Sequence, residues 1–340
     1  MNFLELAWYK KSRWLILLWL VSVVFQLLAR LRRRQQERNR RPPSRQIAVV
    51  IIGNIAVGGT GKTPLLATLA NQLRANGLTP GIISRGYGGK SASYPLLVAT
   101  NCKVAECGDE ALLLVEKTGC PLVIDPDRVA ALEHLLAKSD VDVVLSDDGL
   151  QHYRLARQLE VCVIDGQRLF GNGMCLPAGP LREPISRLKQ VDFVVVNGAD
   201  SAPLDNLSGA IPMRLEPKFL INLVTGEKRP FGGAPFNIGN TLQAVSAIGN
   251  PQRFYDLLEK LPYPMQPFSF PDHHLFTDED FQSRGIDEHQ PVVMTEKDAV
   301  KCRSFARNNY WYLSTELVLP AEFLNDFVSK IKVLAKDSSS

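Results

Sequence analysis

The stretch that most constrains the fold of this chain is the glycine-rich sequence Gly-Gly-Thr-Gly-Lys-Thr at residues 58–63. It follows an apolar run at residues 47–52 and precedes a segment with helical periodicity at residues 64–73. This order predicts a buried strand, a loop and the start of a helix, an arrangement that holds a nucleotide phosphate. Backbone N–H groups of such a loop point into one concavity, and the helix N-terminus adds positive potential. We therefore expect Lys62 to reach the outer phosphates and the Thr63 hydroxyl to bind a magnesium ion.

The loop departs from the usual pattern at its first position. A glycine is expected five residues before Gly61, and Ala56 stands there. Partition-type ATPases have similar glycine spacing but carry a lysine where this chain has Val57. A glycine turn with a chance Lys-Thr is the alternative, which the flanking strand and helix disfavour. The predicted nucleotide-binding residues are Ala56, Val57, Gly58, Gly59, Thr60, Gly61, Lys62 and Thr63.

An apolar run at residues 14–28 contains one strongly polar side chain, Gln26, and is flanked by basic residues. A signal peptide is disfavoured because no small-residue cleavage site follows the run. A spanning helix needs about 20 apolar residues, so this run is slightly short, whereas an interfacial anchor needs less length. A buried core helix is a further alternative, but the adjacent arginines favour a membrane surface. The positive charge after the run places the following domain on the cytoplasmic side.

Charge is unevenly distributed along the 340 residues. Residues 1–45 carry eleven Lys or Arg and two Glu, a net charge of +9, which leaves −5 for the remainder of a chain whose total is +4. A mildly acidic body argues against nucleic-acid binding, which needs a basic patch on the folded domain. Six scattered cysteines form no Cys-x-x-Cys pair, so we expect free thiols in a reducing compartment rather than disulfides or zinc.

The chain after residue 45 alternates between apolar runs typical of strands and segments with helical periodicity. This alternation predicts an α/β fold like that of P-loop NTPases, with a mostly parallel sheet and helices on both faces. A second, smaller α/β pattern begins at Val191. We predict three units: a membrane anchor helix with a basic linker at residues 1–45, a P-loop nucleotide-binding domain at 46–190, and a smaller α/β domain at 191–335 that closes a cleft.

Polar clusters follow several predicted strands, where ligands of a parallel sheet bind. Asp147 and Asp148 follow an apolar strand, and an aspartate there commonly completes the magnesium site of a P-loop enzyme. A solvated Asp-Asp-Gly turn is the alternative, which the phosphate loop disfavours. Gln151 and His152 follow closely and could line the same site.

A second acidic pair, Asp109 and Glu110, opens a predicted helix. We give equal weight to two interpretations of this pair. It either caps the helix N-terminus or provides a carboxylate that faces the γ-phosphate. His273 lies in Phe-Pro-Asp-His-His at residues 270–274, which is weak support for a metal site. We favour a histidine that pairs with a carboxylate across the cleft and tunes a general base.

Arginines in two loops could contact phosphate groups. Arg182, in a proline-rich stretch, could neutralise charge on the transferring phosphoryl group, and Glu183 lies beside it. Arg85 and Tyr87 lie in a glycine-rich turn suited to a polar or phosphorylated acceptor. Ordinary surface turn residues are the alternative for each of them.

Seven motifs in order along nearly all of the chain together resemble the tetraacyldisaccharide 4'-kinase (lipid A 4'-kinase) family. An N-terminal membrane helix is also a feature of that family. The motifs are Gly-Asn-Ile-Ala-Val-Gly-Gly-Thr-Gly-Lys-Thr-Pro at residues 53–64, Ser-Arg-Gly-Tyr-Gly at 84–88, Gly-Asp-Glu at 108–110, Ser-Asp-Asp-Gly-Leu-Gln-His at 146–152, Pro-Leu-Arg-Glu at 180–183, Phe-Pro-Asp-His at 270–273 and Thr-Glu-Lys-Asp-Ala-Val-Lys at 295–301.

The resemblance implies ATP- and magnesium-dependent phosphorylation of the 4'-hydroxyl of a tetraacyldisaccharide 1-phosphate in lipid A biosynthesis, at the cytoplasmic face of a bacterial inner membrane. It implies that Asp109, supported by His273, is the base for that hydroxyl, and that Lys62 and Asp148 take part in catalysis. The expected magnesium ligands are Thr63, Asp147 and Glu183. The expected substrate contacts are Arg85, Tyr87, Glu110, Gln151, His152 and Arg182.

The expected partners are this lipid substrate and inner-membrane lipids, with no nucleic acid and no obligate protein partner. The runner-up function is a membrane-recruited P-loop ATPase switch that has no small-molecule acceptor. A kinase for a soluble metabolite is a third possibility, against which the anchor argues. A kinase should need an acceptor to consume ATP, whereas a switch should not.

Overall fold

The computed structural model describes residues 3–198, 207 and 209–337, and its strands join in one sheet of thirteen. The strands are β1 (Ala48–Gly53), β2 (Pro80–Ser84), β3 (Leu96–Leu97), β4 (Leu122–Ile124), β5 (Val143–Asp147), β6 (Leu159–Asp165), β7 (Phe193–Asn197), β8 (Ile211–Asn222), β9 (Lys228–Pro230), β10 (Leu242–Ser246), β11 (Met265–Ser269), β12 (Val292–Thr295) and β13 (Tyr310–Val318). The helices are α1 (Phe3–Tyr9), α2 (Trp19–Arg38), α3 (Lys62–Ala75), α4 (Val104–Cys107), α5 (Asp109–Thr118), α6 (Arg128–Lys138), α7 (Gln252–Leu258), α8 (Asp278–Ser283), α9 (Glu296–Cys302) and α10 (Ala321–Asp337). Short 3-10 segments lie at Arg13–Leu18, Ile185–Gln190 and Arg303–Phe305.

The sheet has two halves that β8 joins. In the first half β1 pairs in parallel with β5 and β6, and the parallel run continues through β2 and β4 on one side and β7 on the other. In the second half β10 pairs in parallel with β11 and β12, and β12 with β13. The long strand β8 pairs in parallel with β7 and antiparallel with β13. The predicted α/β fold with a mostly parallel sheet is thus confirmed.

The predicted boundary after residue 190 separates segments that are in contact. β7 lies beyond that boundary but pairs with β6 of the first half. Phe327 of α10 is fully buried in the core beside α3, with its ring near those of Phe193 and Phe323. The division into units 46–190 and 191–335 stays a prediction, and both strand pairing and helix packing cross it.

β1 lies at the centre of the first half and is buried along its whole length. Val50 and Ile52 face the core that α3 covers, whereas Val49 and Ile51 face the core beneath α6. Side chains alternate along a strand, so a strand covered on both faces reads as an unbroken apolar run. Because β1 also runs parallel to its neighbours β5 and β6, its end, and with it the glycine-rich loop, lies at the carboxyl edge of the sheet. The six cysteines are free thiols, as predicted.

The N-terminal helices contact the first half through one face. The Ser22 hydroxyl donates to the Cys175 carbonyl at 2.8 Å and accepts from the Ala178 N–H at 3.0 Å. The opposite face is apolar and exposed, with Leu17 78% accessible. Within the described residues, Arg13–Arg38 is the one stretch long and apolar enough to cross a membrane, and only 11% of its most apolar part is buried. The alternative of a buried core helix does not fit this exposure.

We expect Phe327→Ala to lower the free energy of unfolding by about 3–5 kcal/mol, because it leaves a cavity between α10 and α3. Val333→Ala on the same helix is the control, since Val333 is 59% exposed and its truncation should cost less than about 0.5 kcal/mol. Urea unfolding followed by tryptophan fluorescence measures both changes. Equal unfolding midpoints for the two variants would contradict the packing of α10 on the first half.

Candidate active site

The glycine-rich loop joins the end of β1 to the start of α3. Gly58 and Gly61 have φ angles of +99° and +96°, in the left-handed region that glycine adopts without strain. A Cβ at Gly61 would lie 2.5 Å from the side-chain nitrogen of Asn197, which donates to the Thr60 carbonyl at 3.1 Å. An added Cβ at Gly59 would have no atom within 4 Å. The loop is therefore packed tightly on one side and open on the other, where a ligand can approach its backbone.

Alanine at the first loop position makes packing contacts and carries no backbone strain. Ala56 is not among the described non-glycine residues with positive φ. Its methyl group lies in a small core with Cys175 and Leu181, and the Val57 N–H donates to the Pro180 carbonyl at 2.9 Å. The deviation from the usual pattern is thus accommodated by contacts with the segment that α2 also touches.

Asp148 lies directly after β5 and shares its carboxylate between two cations. Lys62, the first residue of α3, places Nζ 3.4 Å from Asp148 Oδ1, and Arg182 Nη1 lies 3.0 Å from Oδ2. Burial raises the pKa of Asp148, but the charges of Lys62 and Arg182 outweigh it and hold that pKa well below its usual range. Asp148 is therefore ionised at neutral pH and keeps both cations beside the loop.

Asp147 is buried at the end of β5 and has one oxygen without a partner. Its Oδ2 accepts from the Ser84 hydroxyl at 3.1 Å, whereas Oδ1 makes no hydrogen bond. Burial, with the charges of Glu110 and Asp148, raises the pKa of Asp147 to about 7. An unpaired buried carboxylate oxygen is costly, so this atom fits a cation site. Among the described residues no group of three or more His, Cys, Asp or Glu could hold a metal alone, so phosphate oxygens would complete its coordination.

Arg128, at the start of α6, is a basic residue of the site that the motif analysis did not single out. It is 2% exposed, donates to the Asp125 carbonyl at 2.8 Å and to the Asp147 carbonyl at 3.4 Å, and leaves Nε unpaired. Burial lowers its pKa to about 10, which keeps it charged. Sequence analysis could have found Arg128 from its position just after β4, at the carboxyl edge of the sheet.

Burial and the charge of Arg128 lower the pKa of His152 to about 4, so His152 is neutral at pH 7.

Gln151 and Glu183 belong to a hydrogen-bonded network beside the loop. Gln151 Nε2 donates to Glu183 Oε1 at 2.7 Å, and the Tyr153 hydroxyl donates to Glu183 Oε2. Arg187 Nε lies 3.5 Å from the same Oε2, and Glu183 is 8% exposed. Both oxygens of Glu183 have partners, so a bound magnesium would share these oxygens with Gln151 or with Tyr153 and Arg187. That role stays a prediction.

Asp109 and His273 meet across the cleft between the two halves. Asp109 is the first residue of α5 and is 3% exposed. His273 follows β11, and its Nδ1 lies 3.0 Å from Asp109 Oδ1 and 3.1 Å from Oδ2. Burial raises the pKa of Asp109, but the His273 hydrogen bond and the charges of Lys297 and Lys301 outweigh it and lower that pKa. The predicted pairing thus places an ionised, buried carboxylate against an imidazole.

Arg85 and Tyr87 lie in the loop after β2, which packs on the start of α5. A Cβ at Gly108 would lie 2.3 Å from the Tyr87 carbonyl oxygen, so this close approach requires glycine. The centroids of the Tyr87 and His273 rings are 4.6 Å apart, and Tyr87 is 58% exposed. The loop therefore places an exposed aromatic ring next to the imidazole, and Arg85 borders the same cavity.

One cavity of about 1290 Å³ runs from the glycine-rich loop to α2. Phe25, Leu28 and Arg33 form part of its α2 wall. The predicted site residues that border it are Gly58, Gly59, Thr60, Gly61, Lys62, Thr63, Arg85, Tyr87, Glu110, Asp147, Asp148, Gln151, His152, Arg182, Glu183 and His273. The predicted residues outside its lining are Ala56, Val57 and Asp109. Asp109 lies directly behind His273.

Known proteins that resemble the chain do so over nearly its whole length. A family model described as tetraacyldisaccharide-1-P 4'-kinase matches residues 14–332. The tetraacyldisaccharide 4'-kinase of Pseudomonas aeruginosa (strain LESB58) is 45% identical over 329 residues, which are 96% of either chain. That of Nitrosococcus oceani is 46% identical over 332 residues, which are 97% of this chain and 94% of the other.

A solved structure of the apo form of LpxK from Aquifex aeolicus in complex with ATP has the same fold. The two structures superpose with a TM-score of 0.75 at 26% sequence identity, covering 93% of this chain and 99% of that one. The family resemblance in the seven motifs is thereby confirmed. The chain belongs to the tetraacyldisaccharide-1-P 4'-kinase family.

Proposed function

We propose that the chain transfers the γ-phosphate of ATP to the 4'-hydroxyl of a tetraacyldisaccharide 1-phosphate in lipid A biosynthesis, at the cytoplasmic face of a bacterial inner membrane. The observation that carries this proposal is that the glycine-rich loop, His273 with Asp109 behind it, and α2 all border the same cavity. A kinase needs a phosphate site and a base within reach of each other. A lipid acceptor also needs a wall that meets the membrane.

The loop and its cations would bind the triphosphate. Backbone N–H groups of residues 58–61 lie at the N-terminus of α3, where phosphate binds favourably. Lys62, held 3.4 Å from Asp148, would pair with the outer phosphates. Arg182 would stabilise charge on the phosphoryl group during transfer. The ATP in the related Aquifex structure supports ATP as the nucleotide.

The residues around Asp147 fit a magnesium ion. Magnesium, when bound, neutralises negative charge on the β- and γ-phosphates. Thr63, the second residue of α3, and Asp147, through its unpaired Oδ1, would hold it. Glu183 would join them through an oxygen that it shares with Gln151 or Tyr153.

Asp109 would accept the proton of the acceptor hydroxyl. The hydroxyl oxygen forms a bond to the γ-phosphorus, and the bond from that phosphorus to the β,γ-bridging oxygen breaks. ADP leaves, and the hydroxyl proton moves to an Asp109 oxygen. The lowered pKa of Asp109 keeps the carboxylate ionised and able to accept this proton at neutral pH.

The exposed face of α2 explains how a lipid acceptor would reach the cavity. An acceptor with four acyl chains stays in the bilayer, because each buried CH₂ contributes about 0.8 kcal/mol. Phe25 and Leu28 border the cavity, while Leu17 and Leu20 are exposed and apolar. Arginines at the end of α2 would bind anionic headgroups at about 1 kcal/mol per charge. The site would thus be held where the acceptor lies.

We expect ATP consumption to depend on the acceptor. The full-length protein in detergent micelles, with ATP and magnesium, should release ADP only when a lipid A disaccharide 1-phosphate is added, and phosphorus NMR should place the new phosphate at the 4' position. The alternative switch ATPase would release ADP equally without the lipid. ADP release without a 4'-phosphate product would contradict the proposed kinase activity.

Asp109→Ala should lower the rate of phosphoryl transfer at least about 100-fold, the usual contribution of a general base, and leave ATP affinity within about twofold. Asp109 lies outside the lining around the loop, which is why binding should survive. Asp256→Ala on α7, an exposed carboxylate, is the matched control. Product formation and calorimetric ATP titration measure the two quantities. Turnover by Asp109→Ala at the wild-type rate would refute its assignment as the base.

Asp147→Asn should stabilise the protein without nucleotide more at pH 8 than at pH 5. The folded Asp147 carboxyl keeps its proton up to about pH 7, whereas the unfolded one releases it near pH 4. The contribution of this group to stability therefore falls as the pH rises from about 4 to about 7 and stays low above that. Asparagine has no such proton to lose. Urea unfolding in EDTA measures the effect, and a gap between variant and wild type that is the same at both pH values would contradict it.

A further inference from the structure

The segment at residues 295–301, Thr-Glu-Lys-Asp-Ala-Val-Lys, has no role in the function proposed above. It forms the end of β12 and most of α9, which packs on α5. Asp298 is fully buried, accepts from the Ala247 N–H at 3.1 Å and from the Thr295 hydroxyl at 2.7 Å, and so anchors the start of α9. The two lysines of this segment are therefore carried on a well-anchored helix beside Asp109 and His273.

Lys297 contacts the imidazole nitrogen that Asp109 does not. Its Nζ lies 3.2 Å from His273 Nε2 and 3.1 Å from Glu110 Oε1. It also lies 3.9 Å from both Asp109 Oδ2 and Asp272 Oδ1. Burial lowers the pKa of Lys297, but the three carboxylates outweigh it and raise that pKa, so Lys297 is an ammonium ion at neutral pH.

This contact and the contact with Asp109 together set the protonation of His273, because the ionised Asp109 carboxylate only accepts and so requires the proton on Nδ1. An ammonium group has three donors and no acceptor, so Lys297 can only donate to Nε2. Nε2 must then present its lone pair, and the imidazole proton lies on Nδ1, from which it is donated to Asp109. A doubly protonated imidazole would place an N–H against the ammonium group.

Lys301 interacts with Asp109, the partner of His273 in this hydrogen bond. Its Nζ is fully buried, 2.7 Å from Asp298 Oδ1 and 3.5 Å from Asp109 Oδ2. Its charge and that of Lys297 both favour the ionised form of Asp109. Lys297 thus contacts His273 and Lys301 contacts Asp109, the two partners of one hydrogen bond.

We propose that Lys297 is a positioning residue that holds His273 as the neutral tautomer with its proton on Nδ1, so that His273 orients Asp109 and the acceptor proton goes to Asp109. This rests on the proposed function, in which the pair serves phosphoryl transfer. Nε2 is occupied by Lys297, so His273 is not free to take the proton itself.

The direct test is the protonation of His273 in the protein without substrates. Nitrogen-15 NMR of histidine-labelled full-length protein in micelles should show Nε2 unprotonated and Nδ1 protonated, with His273→Gln used to assign the signal. In Lys297→Met, Nε2 should become protonated, because the ammonium group no longer excludes a proton there while the Asp109 carboxylate still requires one on Nδ1. A wild-type His273 protonated on Nε2 would overturn the proposal. This readout does not need turnover, so it is separate from a failure of the proposed kinase activity.

The activity test uses the pH profile of kcat/KM for the lipid acceptor. Lys297→Met should lower kcat about 10- to 100-fold, the range for partners that orient a working side chain. Its low-pH limb should also move to higher pH, because the charge of Lys297 no longer lowers the pKa of Asp109, while KM for ATP changes less than about twofold. Lys297→Arg, which keeps the charge and the donors, should restore the limb. The charged or titratable groups around His273 are Asp109, Glu110, Lys297, Lys301, Asp272 and Tyr87.

Arg303→Met is the matched control, because Arg303 Nη2 pairs with Glu116 at 2.6 Å across the same contact of the two halves but does not touch the pair. It should leave the profile unchanged. A Lys297→Met profile that matches that of Arg303→Met would overturn the proposal, since the lysine would then only stabilise the contact between α9 and α5.

Discussion

The hydrogen bond between Asp109 and His273 is the contact on which the site depends, because its partners come from different halves of the sheet. Asp109 begins α5 in the first half, and His273 follows β11 in the second. An ionised carboxylate that is 3% exposed is tolerable only with close partners, and His273, Lys297 and Lys301 supply them from the second half. The cost of burying this charge therefore favours contact between the two halves. That contact places His273, with the candidate base behind it, on the wall of the cavity that the phosphate loop also borders.

The nucleotide-binding part of the site could be predicted from local sequence because the elements that form it follow one another directly along the chain. A doubly buried strand, glycines with positive φ and a helix start are neighbours along the chain, and the structure has them at the expected residues. The strand predicted from the apolar run at residues 47–52 matches β1 to within one residue at each end. How the loop accommodates alanine at position 56 could not be predicted from the sequence. The side chains that contact its methyl group, Cys175 and Leu181, are distant in sequence.

Pairing between segments that are distant in sequence was harder to predict. An apolar run predicts a strand but not its neighbour, so nothing in β7 indicated that it continues the first half, and nothing in α10 indicated which core its Phe327 enters. For the same reason Arg128 was missed, and Lys297 was part of a family motif but received no role. The function of a single cation depends on the groups that the fold places around it. For Glu183, the sequence showed a carboxylate beside Arg182 but not the Gln151 and Tyr153 partners that engage both its oxygens.

The central claim is that one cavity brings a nucleotide phosphate and a membrane-held acceptor to His273 on its wall and to the Asp109 carboxylate behind His273. A structure of the full-length protein with a non-hydrolysable ATP analogue, magnesium and the lipid disaccharide 1-phosphate would test it most directly. We predict the 4'-oxygen within about 2.6–3.2 Å of an Asp109 oxygen, in line with the γ-phosphorus, and the acyl chains along the face of α2 that includes Phe25 and Leu28. A disaccharide whose 4'-oxygen lies beyond reach of Asp109, with acyl chains away from α2, would contradict the account.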